Sequence, residues 1–240
     1  MNIWTYWEIP SWYEKRYDYI DMCIETMHKR KSSFEKVVVI TPDVVDSYVD
    51  YIPDRYYQLP KAGQRADYLR LYLLKHYGGV WIDADTIIYR DLDILNRWIY
   101  EYGAFWYGKR RGSFTGVIGF EKGNPIINHM YKTSCDILES DDDIFWTKLG
   151  PNLFDKMLTD GISEKWFNIP KNSFYYYTLR NSISLLQNGD LNFLDDPTII
   201  GCSLFNNRIS KKRKWFYKMT KEEILDSKMV FSQIYNKVMQ

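Results

Sequence analysis

The sequence predicts an α/β protein built on a mixed, mostly parallel, Rossmann-like central sheet flanked by helices. Two observations carry that expectation. Short apolar and β-branched runs alternate with stretches at helical spacing through the first half of the chain. No internal repeat or low-complexity linker interrupts the 240 residues, a length that suits one domain spanning 1–240.

Residues 2–7 (NIWTYW) form an apolar-aromatic first strand, ended by the turn signal Ile9-Pro10. Tyr13, Tyr17, Ile20, Cys23, Ile24 and Met27 recur at threes and fours and predict a helix from Trp12 to about residue 31. KVVVI is a β-branched strand closed by Pro42. A short helix is expected over 44–49. A longer one is expected over 63–77, with Ala66, Leu69, Leu73 and Tyr77 on one face. Gly78 then stands where a helix end favours a left-handed residue. GVWID follows as a strand, 113–121 as another, and 125–138 as a helix. Residues 145–158 read as helical, interrupted at Gly150-Pro151. Residues 198–205 are a late strand, and 221–240 a terminal helix.

Composition narrows the function. Lys plus Arg is 32 and Asp plus Glu is 31, which gives no reason to expect nucleic-acid binding. The aromatic share is 18%, with 21 Tyr and 9 Trp. Such a share fits an aromatic-rich core, and equally a site that stacks on flat or sugar-like ligands. Cys23, Cys135 and Cys202 are isolated and odd in number, which points to a reducing compartment rather than a disulfide framework. No leader and no bilayer-spanning apolar run is read, so a cytoplasmic protein is expected, free or peripheral to a membrane.

The chemistry concentrates in RADYLRLYLLKHYGGVWIDAD, residues 65–85. Asp67 and Arg70 are three apart and project together from a helix. Asp83 and Asp85 are two apart, so in an extended chain both point one way. They end a predicted sheet strand, where open α/β sheets bind ligands. Two convergent carboxylates repel unless a hard cation joins them, and Mg²⁺ or Mn²⁺ combines carboxylates with phosphate oxygens. The Asp91-Leu92-Asp93 and Asp141-Asp142-Asp143 strings read instead as solvated loops or caps.

That stretch resembles the signature of DxD glycosyltransferases: the family 32 (Och1-like) enzymes, the capsular polysaccharide synthesis proteins and, more distantly, the clostridial glucosylating toxins. A small residue, Asp, two residues, Arg, a Leu pair, Tyr-Gly-Gly and Asp-x-Asp all occur in order. Asp67 and Asp83 are 83 − 67 = 16 positions apart, as in the family. The resemblance implies a GT-A fold with a nucleotide-sugar half over 1–125 and an acceptor half over 126–240. It implies a UDP-sugar donor in preference to a GDP-sugar, Mn²⁺ or Mg²⁺, retention at the anomeric carbon, and a glycan or lipid-linked acceptor. It assigns Asp85 to the metal, and Asp83 to the donor's ribose or sugar and to the metal through water. Asp67 and Arg70 are assigned to hydroxyls of the donor sugar, Trp7 to the base, and Thr5 to the donor. Trp4 is a weaker candidate, and core packing is an equal reading for the Trp pair. Where many members carry a metal-binding His, this chain has CSLFNN, so Ser203 or Asn206 is left to supply that ligand. Thr115-Gly116 stands where the family often has Asn.

Rival readings use the same residues. A haloacid-dehalogenase-type phosphatase would use Asp83 and Asp85, and a sugar-binding module would use the site without turnover. The segment 209–218 holds five cations with Trp215, Phe216 and Tyr217. It reads as a solvated loop with an aromatic anchor, as a clamp on the donor diphosphate, or as a contact with anionic lipid.

Overall fold

A computed structural model describes residues 1–11, 13–140, 143–161 and 164–240, with the backbone alone at 210 and 211. The strands are β1 (Ile3–Tyr6), β2 (Val37–Ile40), β3 (Gly79–Ile82), β4 (Thr86–Ile88), β5 (Ala104–Tyr107), β6 (Phe114–Phe120), β7 (Phe167–Asn168) and β8 (Gly201–Ser203). The helices are α1 (Asp18–Arg30), α2 (Asp54–Tyr57), α3 (Ala62–Tyr77), α4 (Asp93–Tyr102) and α5 (Pro125–Glu139), followed by α6 (Pro151–Asp160), α7 (Asn172–Tyr175), α8 (Asn206–Lys212), α9 (Lys221–Asp226) and α10 (Val230–Met239).

Contacts group the chain into two interleaved units. The first comprises Met1–Glu8, Val38–Ile82 and Ile94–Ile169, and the second Ile9–Val37, Asp83–Asp93 and Pro170–Gln240.

The first unit holds a sheet ordered β2-β1-β3-β6-β5-β7. β1 runs parallel to β3, with Trp4 opposite Trp81, and β5 runs parallel to β7. β6 is antiparallel to both β3 and β5. Strands β1, β3, β5 and β7 thus share one direction and β6 alone reverses among them, so the sheet is mixed and mostly parallel. The reversal reflects the short link between β5 and β6, which allows an antiparallel return but no crossover. Trp4, Trp81, Trp106, Ile118 and Phe120 are fully buried in the core beside Leu69, Leu73 and the first residues of α5. Tryptophan and tyrosine therefore serve as bulk core residues here.

α3 is buried on nearly every side, packed on the sheet and on α5. Tyr77 is 43% exposed and donates its hydroxyl to the Tyr48 carbonyl, while its ring packs 5.3 Å from that of buried Trp4, at the rim of the expected apolar face. Gly78 has φ 67° and ψ −168°: a positive φ, but extended rather than left-handed helical. Its conformation turns the chain directly into β3, where Gly79 has φ 100°.

In the second unit β4 pairs antiparallel with β8, and α1 packs against β4, α9 and α10. α1 begins at Asp18 instead of near residue 12, because Tyr17 is extended at its N-cap and Asp18 and Asp21 favour the positive end of the helix dipole. The expected start, Trp12, lies outside the described residues, as do Asp141 and Asp142 of the acidic string. The terminal helix is two helices. Ser227–Met229 breaks it, with Ser227 extended at the end of α9 and the Ser227 and Ser232 hydroxyls bonded to each other. The expected helix at 44–49 is a single 3₁₀ turn at Val45–Ser47. Among the described residues no helix is long and apolar enough to cross a membrane, and all three cysteines are free.

Candidate active site

The sequence-predicted residues fall on both units, and each group is described within its own. In the first unit α3 places Asp67 and Arg70 one turn apart. Arg70 Nη1 donates to Asp67 Oδ1 at 2.6 Å and to Thr115 Oγ1 at 2.6 Å. Both charged residues are buried, at 7% and 4% exposure. The guanidinium lies 5.0 Å from the Trp81 ring centroid. A buried carboxylate and guanidinium this close compensate each other's lost hydration, and Thr115 takes up a further donor. Thr115 is the residue that departs from the expected Asn, so a hydroxyl here fills the role of polar partner on β6.

The segment 144–150 closes over the start of α3. Gln64 Nε2 donates to the Ile144 carbonyl at 3.0 Å. A Cβ on Gly63 would stand 2.7 Å from the Trp146 ring, and a Cβ on Gly150 would stand 2.5 Å from Asp67 Oδ2. The Gly-Pro interruption thus has a local reason. Gly150 makes room for the carboxylate, and Pro151 opens α6 at the position where its missing N–H costs nothing.

Along β1, Trp4 is buried and donates its indole N–H to the Gly78 carbonyl at 2.9 Å, which makes it a core residue. Trp7 is half-buried, and its backbone N–H donates to the Ile40 carbonyl at 3.0 Å. Thr5 is fully buried, and its hydroxyl has no hydrogen-bond partner among the described residues. Beside Trp7, Glu8 receives a two-pronged bond from Arg65, Nε to Oε2 at 2.9 Å and Nη2 to Oε1 at 2.8 Å. Tyr6 donates to the same carboxylate at 2.8 Å. This fork ties the chain leaving β1 to α3. Sequence reasoning gave Glu8 and Arg65 no role, although Arg65 stands at the head of the motif.

In the second unit the two aspartates do not lie on an extended strand. The Thr86 N–H donates to the Asp83 carbonyl at 3.0 Å, closing a turn with Ala84 and Asp85 at its centre. The expectation that both carboxylates point one way by strand alternation is therefore corrected: a turn, not an extended strand, carries Asp83 and Asp85. Thr86 stands opposite Ser203 in the β4–β8 pair. The Leu204 N–H donates to the Asp85 carbonyl at 2.9 Å, and the Asn206 N–H donates to Asp85 Oδ2 at 2.5 Å. Phe205 between them is left-handed, with φ 56° and ψ 65°, a conformation that an aromatic residue adopts only when its surroundings force it. CSLFNN thus meets the DxD turn through its backbone.

Tyr19 donates its hydroxyl to the Asn206 side-chain carbonyl. Burial, and next the charge of Asp85, push the Tyr19 hydroxyl well above its ordinary pKa, and the same two causes act on the Cys23 thiol. No sequence signal links Tyr19 to Asn206 across 187 positions. Among the described residues no group of three His, Cys, Asp or Glu side chains forms a ready metal cage.

The chain is similar to known proteins in sequence and in fold. The family described as capsular polysaccharide synthesis protein matches residues 1–187. A protein of Acanthamoeba polyphaga mimivirus described as an uncharacterized glycosyltransferase is 24% identical over 214 residues, covering 86% of this chain and 74% of its own. Among solved structures, the PaToxG glycosyltransferase is 17% identical with a TM-score of 0.51, over 99% of this chain and 84% of that one. The glycosyltransferase GlyE of Streptococcus pneumoniae TIGR4 is 11% identical with a TM-score of 0.53. That likeness covers all of this chain and 60% of the GlyE chain. The shared fold is that of GT-A glycosyltransferases.

Proposed function

The chain belongs to the capsular polysaccharide synthesis protein family and is a glycosyltransferase, and on that premise we propose that it moves a hexose from a UDP-sugar to a glycan or lipid-linked acceptor with retention. The observation that carries the reading is the Asp83–Thr86 turn at the carboxyl end of β3, with the Asp85 carboxylate fixed by the Asn206 N–H. A side chain held from the backbone is in position before substrate arrives.

The ligands assigned at that turn are hard oxygens: the Asp83 and Asp85 carboxylates and the hydroxyl of Ser203, which stands opposite Thr86. Such hard donors fit Mg²⁺ or Mn²⁺ and do not suit a thiolate or imidazole zinc site. Asp85, Asp83 and Ser203 would hold the ion. Bound there, it supplies positive charge against the departing diphosphate.

The chain's own residues do the rest. Asp67, oriented by Arg70 and set against Gly150, accepts from hydroxyls of the donor sugar and tolerates positive charge growing at the anomeric carbon. Trp7 stacks on the base, and the buried Thr5 hydroxyl bonds the donor. The bond from the anomeric carbon to the phosphate oxygen breaks. The acceptor hydroxyl bonds to that carbon from the same face, and its proton passes to the leaving phosphate. No carboxylate is assigned as a nucleophile for double displacement.

Incubation with Mn²⁺ and a panel of UDP- and GDP-sugars, reading released nucleotide and the anomeric proton of the product, tests this. A retained anomer from a UDP-sugar is expected. Sugar binding with no nucleotide released from any donor would favour a binding module instead. The phosphatase reading finds no support in the family or the fold.

A further inference from the structure

The second unit contains a cavity of about 360 Å³ apart from the residues assigned to donor and metal. Its walls include Tyr176, Tyr177 and Phe193, with Gln187, Asn188 and Asn192 around them. The Tyr176 and Phe193 rings stack at 4.8 Å and 14°, and Tyr177 meets Phe193 edge-on at 5.3 Å and 80°. Tyr176 keeps 38% of its surface exposed. Among the described residues the lining includes no Lys or Arg and one acidic residue, Asp190.

We propose that this cavity is a saccharide site, and that it receives the acceptor glycan. Flat rings offer a surface for the C–H faces of a sugar, and the ring of amides offers paired donors and acceptors for its hydroxyls. A volume near the lower end of the roughly 300–1,000 Å³ range of ligand pockets suits one or two sugar rings. A lining with no cation and one carboxylate selects against a nucleotide diphosphate or phosphate, which separates this site from a second donor site.

The walls are held in place by bonds to their backbone. Asn188 pairs with Met229 as an isolated bridge, the Val230 N–H donates to the Gln187 carbonyl at 2.9 Å, and Gln233 Nε2 donates to the Gly189 carbonyl at 2.9 Å. A ring contact leads from its wall toward the DxD turn. Tyr175, next to Tyr176, has its ring 6.2 Å from Phe205, and Phe205 lies between the two N–H groups that bind Asp85. Calling the bound glycan the acceptor rests on the transferase reading, whereas the capture of a saccharide does not.

The experiment is saturation-transfer NMR on protein free of metal and donor, with a panel of neutral glucose, galactose and mannose disaccharides. At least one disaccharide should bind, and Tyr176→Ala and Asn192→Ala should each weaken it tenfold or more. Tyr100→Ala, 91% exposed on the first unit, should bind as wild type. Failure of the whole panel, or wild-type binding by both cavity variants, overturns the proposal. Saccharide binding that depends on Tyr176, in a protein releasing no nucleotide, would uphold the cavity site while sinking the transferase reading.

Discussion

Gly150 and Asp67 occupy one space: the carboxylate of Asp67 fills the volume that any side chain at 150 would need, 2.5 Å from where a Cβ would stand. Asp67 cannot retreat without breaking its 2.6 Å bond from Arg70. Gly150→Ala should therefore displace the carboxylate, lower stability by about 1–3 kcal/mol, and reduce turnover by roughly 10–100-fold. Thermal melting and nucleotide release measured together check this. Wild-type turnover in Gly150→Ala would mean that the Asp67 position is irrelevant to the reaction.

The Asp67–Arg70 pair is the buried charge most exposed to a one-sided change. Arg70→Met removes the guanidinium that neutralises a buried carboxylate and should lower stability by about 3–5 kcal/mol. Adding Asp67→Asn to Arg70→Met should recover a large part of that loss without restoring activity. Denaturant unfolding of both single variants and the double variant gives the coupling. Additive losses would show that the pair is not a unit.

Asp85 is held by a backbone N–H from a strained loop, so Asp85→Asn should keep the fold and lose nearly all turnover. Metal provides a second readout. Mn²⁺ at 100 times its Kd should stabilise the wild type by about 2.7 kcal/mol, chelator should reverse this, and Asp85→Asn should show no shift. An equal Mn²⁺ shift in the variant would move the ion elsewhere.

The legible parts were those with a local cause. The β-branched run at β2 and the Gly-terminated helix α3 are specified by their own residues, and the one-turn pairing of Asp67 with Arg70 follows from helix geometry. The geometry around Asp85 was not legible, because it depends on partners far along the chain. Leu204 and Asn206 close on it through backbone groups, and backbone donors leave no mark in the residue types. The same reason hid the DxD turn: one bond, from the Thr86 N–H to the Asp83 carbonyl, replaces the alternation an extended chain would have. The break within residues 221–240 was masked by apolar residues that continue a helical pattern on both sides of Ser227–Met229.

Buried phenols and thiols set the alkaline limit. Burial, with lesser charges, pushes Tyr177 up to about 12, and burial alone pushes Cys202 up to about 12. Tyr6, Tyr56 and Tyr68 are raised further, with burial the first cause. The unfolded groups lose protons near 9 for Cys and 10 for Tyr while the native ones keep them. The native state then binds more protons, and stability falls as pH rises. These groups should leave stability unchanged below pH 9 and lower it from there to 12. Circular dichroism with phenolate absorbance at 295 nm should show these tyrosines titrating together with unfolding. Full stability at pH 12 would contradict their burial.

Membrane contact through 209–218 is narrowed by the positions of its aromatic residues. Phe216 is fully buried, and the Tyr217 ring stacks on Tyr17 at 5.0 Å, so both anchor the segment to the second unit. Trp215 is 47% exposed and is the aromatic residue of the three left for a lipid surface. Lys212 and Lys214 are exposed and Arg213 is half-buried beside it, while the Lys211 side chain lies outside the described residues. At about 1 kcal/mol for each basic residue near an anionic surface, such a contact would be weak and salt-sensitive, as would suit an enzyme that visits a lipid-linked acceptor. Co-sedimentation with vesicles containing phosphatidylserine should be lost when Lys212, Arg213 and Lys214 are changed to Ser, and reduced by Trp215→Ala. Neutral vesicles should bring down neither variant nor the wild type. Equal sedimentation of wild type and the triple variant would remove the membrane contact. Reduced nucleotide release by the triple variant without any lipid would place these cations on the donor diphosphate instead.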